Sequence, residues 1–573
     1  MIRKHRLLVP LVLALCLTCL AGALAHSVLA AGTHGPRSVD ALMKTMSLDD
    51  KVGQVFMGWF KGDRADAFVR DMILKRRMGG LCLFDSADNV PDDDSAPAQV
   101  ARLTGDIQAL ARQAGLPGLL LAVDQEGGPV ARLRRGFAVM PSNMAVAATG
   151  DPRAAGLAAT ATAAQLSAVG LNMNLAPVLD VNSNPANPII GIRSFGSDPE
   201  RVAAQGLTAL GAYREAGVAA VVKHFPGHGD TGTDSHLHLP LVPHDMERLE
   251  RVELVPFKRA IAAGAEAVMT AHVRLPAVEP EPVPATLSRA VLTGLLRERL
   301  GFGGVIVTDS MGMSAVSKAF GVGEAAVRAF LAGADLLLYG ADKGHEPSEA
   351  LAAMTALKGA VMLGRVSRER LDASVRRILE LKARHGLLEP PGAGTEGLAS
   401  RGTDTEAQRA VADTLARKAV TLIGDRGVLP VTPGTRTLLV WPEARHDPVE
   451  AIAGELGLEV LRLPADPGPA DVARARAAAS RADAVILFTS RSDRRHGQAA
   501  VALALTEVLA AQGGKGPVVC AMDEPYGLPG LMALADPPCV LAAYSNVPAS
   551  VRAVLDVIFG RTKAEGVMPV TLE

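Results

Sequence analysis

Short, unbroken apolar runs separated by helix-like segments dominate the chain from Lys51 to about Gly340. The runs are GQVFMGW (53–59), GGLCLF (79–84), LLLAVD (119–124), LNMNLAP (171–177), VAAVVKH (218–224), AEAVMTAH (265–272), GGVIVTD (303–309) and GADLLLY (333–339). A strand buried on both faces reads as a continuous apolar run rather than as an alternation. Each run here is followed by an Ala- or Leu-rich segment such as ERVELVPFKRAIAAG, the pattern of a parallel sheet covered by helices. Eight such units predict a (β/α)8 TIM-like barrel over 38–388, with its active site at the C-terminal ends of the strands. A helical close, RERLDASVRRILELKARHG, leads into LLEPPGAGTEGLASRGTDTE, whose Pro, Gly, Ser and Thr content reads as a linker over 389–405. A second alternation then begins with TRTLLVWP, LEVLRLP, ADAVILFTS, GPVVCAMD and PCVLAAYS, and predicts a smaller doubly wound αβα domain over 406–573. It holds no glycine-rich phosphate fingerprint, so no nucleotide site is inferred.

Composition narrows the class further. At 573 residues the chain is too long for one hydrophobic core. Its formal net charge of −1 gives no electrostatic reason to expect nucleic acid or an anionic membrane as partner. Only 3% of residues are aromatic, so a sugar site would lean on hydrogen bonds and charge more than on stacking. The N-terminus carries Arg3, Lys4 and Arg6, then an uncharged apolar run from Leu7 to Ala25 ending in Ala-x-Ala. This reads as a secretory signal over 1–30, and so as an exported protein: periplasmic, cell-surface or secreted. The run is also long enough to stay as an uncleaved anchor, the one route to a stable membrane partner. Neither Cys16 nor Cys19 follows a small Gly or Ala, which favours simple cleavage over a lipid-attached Cys. Removal of the signal leaves Cys82, Cys520 and Cys539, which support no disulfide framework, although a Cys520–Cys539 bridge stays open in an oxidising compartment.

Ionisable groups gather where the barrel hypothesis puts the chemistry. Asp124, Asp180, Lys223 with His224, His272 and Asp309 all fall at or just beyond the ends of apolar runs. One such Asp is readily a helix cap, but five strand ends carrying ionisable groups are not explained that way. The stretch KHFPGHGDTGTDSHLHLP, Lys223 to Pro240, holds four of the thirteen histidines on a segment too rich in Gly and Pro to be helical. Two readings compete for it. In the first, His224, His228, Asp230, Asp234, His236 and His238 bind zinc, but no fixed ligand spacing appears and Lys223 would set a positive charge beside the cation. In the second, Asp234 accepts a hydrogen bond from His236 two residues on, orients the ring and makes it a proton donor near neutral pH. Asp309, ending a strand in VIVTDSMGM, is then a carboxylate nucleophile on a rigid element, and the pair forms a retaining-glycosidase arrangement with a histidine acid.

Together with DQEGGPVARL, NPANPIIGIRSFG and GVIVTDSMGM, the His-rich stretch resembles glycoside hydrolase family 3, specifically its β-N-acetylglucosaminidase branch, from about Ser47 to Gly340. The second domain resembles the αβα domain that follows the barrel in two-domain members. By this resemblance Asp309 matches the nucleophile and Asp234–His236 the acid/base dyad. Asp124, Arg132, Arg193, Lys223 and His224 match residues that bind the hydroxyls and acetamido group of the terminal sugar. A cluster of cations and a carboxylate in a cleft agrees physically, because it can make charge-assisted hydrogen bonds to a polyhydroxylated ring. The bland alternative for Arg193 and Lys223 is a structural ion pair with Asp124 or Asp180. His228, Asp230 and His238 are read as loop-shaping or solvated. The chain departs from many members in having Pro129, not Arg, after DQEGG. Family β-glucosidases place a glutamate acid/base in the second domain, a role Glu524 of MDEPYG could superficially suggest.

The resemblance implies a retaining exo-β-N-acetylglucosaminidase that needs no cofactor or metal and takes an oligosaccharide substrate of cell-wall (peptidoglycan muropeptide) or chitin type. Three alternatives compete with it. A histidine acid/base becomes neutral on giving up its proton and repels an anionic acceptor less than a carboxylate would, so a phosphorylase is chemically open. A family 3 β-glucosidase is the second, and a catalytically silent sugar-binding protein the third.

Overall fold

The computed structural model describes residues 37–389 and 403–572 apart from 235–237, 433, 444–447 and 534–536. The signal segment, most of the linker and His236 therefore lie outside the described residues. The helix Val39–Thr45 belongs to one compact unit, and everything from Met46 onward forms another that contains both sheets.

All eight apolar runs form strands. β1 (Phe56–Gly58), β2 (Gly80–Leu83), β3 (Leu120–Val123), β6 (Met173–Asn174), β7 (Ala219–Phe225), β8 (Ala267–Thr270), β9 (Val305–Val307) and β10 (Leu337–Leu338) build one sheet. Its order is β10-β1-β2-β3-β6-β7-β8-β9, every pair parallel. The ends meet: Val307 bridges Leu336 in parallel, and Thr308 N donates to Leu336 O at 3.0 Å, closing the barrel. Every residue of β2, β3, β7, β8 and β9 is buried, which is why these strands lack a polar face. Two short segments outside the runs, Gln125–Gly127 (β4) and Val130–Ala131 (β5), pair as a small antiparallel ribbon after β3.

The N-terminal face of the barrel carries a stabilising network. Asp335, fully buried before β10, accepts hydrogen bonds from Arg297 and Ser374 at 2.6 Å and from Arg377 at 3.1 Å. Lys382, on the helix Arg368–Arg384, donates to Gln54 Oε1 at 2.7 Å and to Gly79 O at 2.9 Å, and its burial pushes its amine down to about 7. These contacts tie the last helix of the barrel to the first strands, at the face whose work is stability.

The second sheet contains β11 (Thr421–Gly424), β12 (Thr437–Pro442), β13 (Glu459–Leu463), β14 (Ala484–Thr489), β15 (Val518–Ala521) and β16 (Cys539–Ala542) in the order β11-β16-β15-β14-β12-β13. The five predicted strands are parallel in the doubly wound order 2-1-3-4-5, whose topological switch lies between β12 and β14. β11, absent from the sequence reading, is an antiparallel edge strand with Leu422 exposed, too short and too mixed in burial to announce itself. Cys82, Cys520 and Cys539 are all free and buried.

One hydrophobic cluster joins the two sheets. Met144, Ala145 and Ala148 of the barrel's helix Asn143–Ala148, with Ile192, pack among Leu438, Val440, Val519 and Val540 of the second sheet. Ser142 caps that helix by accepting from Ala145 N at 3.1 Å while its hydroxyl donates to Tyr544 O at 2.5 Å. The second sheet is thereby held against the C-terminal rim of the barrel by core packing.

Candidate active site

A cleft of about 690 Å³ opens at the C-terminal ends of the barrel strands, and the loops after β12, β14 and β15 of the second sheet form its far wall. Asp124, Arg132, Arg193, Lys223, His224 and Asp309 all line it. Residues 185 positions apart in sequence are thus brought into one site because each follows a different strand of one barrel. Asp234 is half-buried on the His-rich loop, where its carbonyl accepts from His238 N at 3.1 Å, and it is not among the residues lining the cleft.

Asp309 follows β9 with one residue between. Ser310 N donates to its Oδ1 at 2.7 Å. The Ser310 carbonyl is in turn 2.8 Å from His272 Nε2, whose other nitrogen lies 2.8 Å from the Thr286 hydroxyl, and the Ser310 hydroxyl binds Asp342. His272, read from sequence only as a strand-end group, therefore sits behind the site and fixes the peptide beside Asp309.

Across the cleft is a charge-compensated cluster. Lys223 Nζ lies 2.7 Å from Asp124 Oδ1 and 2.7 Å from Glu126 Oε1. Arg193 grips Glu126 with two hydrogen bonds, Nε at 2.9 Å and Nη2 at 2.8 Å. Burial alone would raise the Glu126 carboxyl, but the adjoining charges of Arg193 and Lys223 outweigh it and hold the group well below the usual carboxylate range. Burial disfavours both cations too, yet the carboxylates facing them leave Lys223 and Arg193 raised above their ordinary values. The ion-pair alternative is thus partly realised: Lys223 does pair with Asp124, but the partner of Arg193 is Glu126, not Asp124 or Asp180. Glu126 of DQEGG is not among the residues the resemblance assigns to the sugar, because the motif does not show which of its side chains the cluster encloses.

Asp180, fully buried, organises the next layer. It accepts from His224 N at 3.3 Å and His228 N at 2.7 Å, and its Oδ2 lies 2.6 Å from His224 Nδ1. That contact makes Nδ1 the donor and leaves Nε2 as acceptor for Arg193 Nη2 at 3.4 Å. The imidazole is held by partners on both ring nitrogens. Burial would raise Asp180, but His224 and His228 lower it overall. His228, read from sequence as loop-shaping or solvated, is buried and lines the cleft, where burial pushes its imidazole down to about 4. Asp230 does shape the loop: it accepts from the Ser183 hydroxyl at 2.9 Å and pairs with His244. Together with Glu253, Asp230 and His244 place ligand-type atoms within 4.8 Å of one another, but Arg248 Nη2 is already 3.1 Å from Glu253 and 3.9 Å from Asp230. A cation is thus built into that cluster.

The far wall was not anticipated. Glu524, 6% exposed, lies 3.2 Å from Arg491, and both line the cleft with Asp523. Gly191 has φ +45°, a conformation that favours glycine, and a Cβ there would lie 2.1 Å from Glu524 Oε1, so the barrel loop passes close against the second domain. Burial and the Glu524 charge beside it push the Asp523 carboxyl up.

Comparison with known proteins follows the same lines. The model of the glycosyl hydrolase family 3 N-terminal domain matches residues 47–381. Beta-hexosaminidase A of Pseudoalteromonas piscicida is 35% identical over 396 residues, which span 65% of this chain and 64% of that protein, so the match takes in slightly under two thirds of that relative. A beta-hexosaminidase of Alkalilimnicola ehrlichii is 38% identical over 293 residues, 50% of this chain and 80% of its own. Among solved structures, a family 3 beta-N-acetylglucosaminidase from Paenibacillus sp. str. FPU-7 superposes with a TM-score of 0.84 at 40% identity, covering 92% of this chain and 99% of its own. With more than half of its length matched by the family's barrel and with Asp309, Lys223 and His224 gathered at the mouth of that barrel, this chain belongs to glycosyl hydrolase family 3.

Proposed function

We propose that the protein is a retaining exo-β-N-acetylglucosaminidase that removes terminal β-linked N-acetylglucosamine from cell-wall or chitin-type oligosaccharides after export. The observation that carries this reading is Asp309, aimed from a rigid strand end into a cleft whose other side is the cluster of Asp124, Lys223, Arg193 and His224. Cations and carboxylates whose charges cancel among themselves cost less to bury than a lone charge, and they offer a pre-arranged set of donors and acceptors to sugar hydroxyls.

In the first step an Asp309 oxygen attacks the anomeric carbon as the bond to the aglycone oxygen breaks, and that oxygen takes a proton from His236. In the second, His236 takes a proton from water, the water oxygen bonds to the anomeric carbon, and Asp309 leaves as carboxylate. The role of His236, with Asp234 orienting it, rests on the sequence motif. The names of the relatives support a hexosaminide substrate, and the first thirty residues support export.

The test is covalent. A fluorinated slow substrate with an activated leaving group should label Asp309, found by peptide mapping, and Asp309→Ala should fold normally with turnover reduced by about 10³-fold or more. A label on any other carboxylate would remove Asp309 from the role of nucleophile.

A further inference from the structure

The loop from Asn182 to Arg193 lies between the second domain and the root of the His-rich loop, and it touches both. On one side, Arg494 Nη2 donates to Asn187 O at 2.6 Å and Pro185 O at 3.2 Å, and Arg491 Nη2 donates to Pro188 O at 2.7 Å. On the other side, the Asn187 amide nitrogen donates to His228 O at 2.8 Å and lies 3.3 Å from the Thr231 hydroxyl, while the Asn184 amide donates to Asp230 O at 2.9 Å. Asn187 is 1% exposed, and its side-chain oxygen accepts from Ile189 N and Ile190 N, so the whole side chain is committed to this junction. The two loops are also in backbone contact: a Cβ on Gly229 would fall 1.9 Å from Val181 O.

We infer that Arg494 and Asn187 are positioning residues for proton transfer, through which the second domain braces the root, His228 to Thr231, of the loop that carries Asp234. The inference rests on the reading above that Asp234 and His236 supply the proton. Only Gly232 and Thr233 stand between Thr231 and Asp234, a span too short for Asp234 to keep its place independently of the root. Sugar binding through Arg193 is less coupled to the same shift, although its Nη1 donates to Ile189 O of this loop at 3.1 Å. Its guanidinium is clamped to Glu126, and its carbonyl accepts from Asn143 at 2.7 Å; both anchors are in the barrel. The brace therefore bears on the acid/base step more than on affinity for the terminal sugar.

The experiment compares the full-length wild type with Arg494→Ala, Arg494→Lys and His236→Ala on two substrates. One is N,N′-diacetylchitobiose, whose leaving group needs a proton; the other is a dinitrophenyl β-N-acetylglucosaminide, whose leaving group does not. Arg494 lies outside the cleft lining and is partly exposed, so its truncation is compatible with folding, which tryptophan fluorescence checks. The expected result is a kcat/KM loss for Arg494→Ala on chitobiose of about 10- to 100-fold, the scale of a misplacement near 1 Å. The aryl substrate should show little change in kcat/KM, because that ratio reports only the step that forms the bond to Asp309 and its leaving group needs no proton, whereas its kcat falls with the later activation of water. Arg494→Lys, which can still reach the carbonyls, should recover part of the loss. Equal losses on both substrates, or none on either, overturn the inference while His236→Ala still discriminates between them. If His236→Ala does not discriminate, the proton-donor reading and the brace fall together.

Discussion

Replacing Glu126 by Gln removes one charge from the most enclosed part of the site and keeps its shape. The Glu126 side chain is 1% exposed, and it faces Lys223 at 2.7 Å and Arg193 at 2.8 Å. At an effective dielectric constant near 20, each contact corresponds to about 6 kcal/mol of direct attraction, much of it offset by the cost of taking the carboxylate out of water. What survives in such cases is the penalty of leaving partners unpaired, roughly 3–5 kcal/mol. The Gln variant should therefore lose about that much stability at pH 7, read by urea unfolding followed through the two buried tryptophans, Trp59 after β1 and Trp441 in β12. The sign with pH follows from the depressed carboxyl. A group whose folded pKa lies below its unfolded value contributes fully above the unfolded value and loses that contribution as pH falls toward the folded one. The gap between wild type and variant should accordingly narrow by about 1.4 kcal/mol for each unit below about pH 4.3, while other carboxylates titrate in both proteins and cancel. A variant as stable as wild type at pH 7, or a gap that is the same at pH 7 and pH 3.3, would refute the claim that Glu126 is held ionised by Lys223 and Arg193.

Asp180→Asn should lower kcat/KM on an aryl β-N-acetylglucosaminide by roughly 10- to 100-fold, because the amide can donate to His224 Nδ1 and so turn its Nε2 into a donor facing Arg193; a charged hydrogen bond is worth about 1.5–3 kcal/mol. Unchanged kinetics would show that the orientation of His224 does not matter. Dialysis against EDTA should leave turnover intact, since Arg248 supplies the cation beside Asp230, His244 and Glu253. A loss restored by zinc would reverse that conclusion.

The second domain changes how the site is understood. Its cluster with Met144, Ala145 and Ala148 makes the barrel rim part of its own core, so the wall that carries Arg491 and Glu524 is fixed to the barrel by shared packing. Glu524, whose MDEPYG setting could superficially suggest a glutamate acid/base, lines the cleft at 6% exposure, beside Arg491 and against Gly191.

By itself the sequence determined the barrel strands, because a strand buried against helices on one face and the packed barrel interior on the other is almost wholly apolar, and that signature is local. It also showed part of the cleft: Asp124, Lys223, His224 and Asp309, at or near strand ends, line it, whereas Asp180 and His272, read from the same kind of position, lie buried behind it. Pairing was not decided there. That Arg193 binds Glu126 instead of Asp180 depends on a few ångströms of loop placement, and no spacing along the chain encodes it. The second-domain wall was hidden for a stronger reason. Arg494 meets Asn187 across 307 residues, and that contact exists only because two separately patterned sheets share one apolar cluster. A short edge strand such as β11, half exposed and antiparallel, is likewise settled by the partner β16 that it finds and not by its own four residues. Local pattern fixes elements and the ends they present; docking of elements fixes which charges compensate each other, because Coulomb attraction and desolvation are set by distances that only the folded chain possesses.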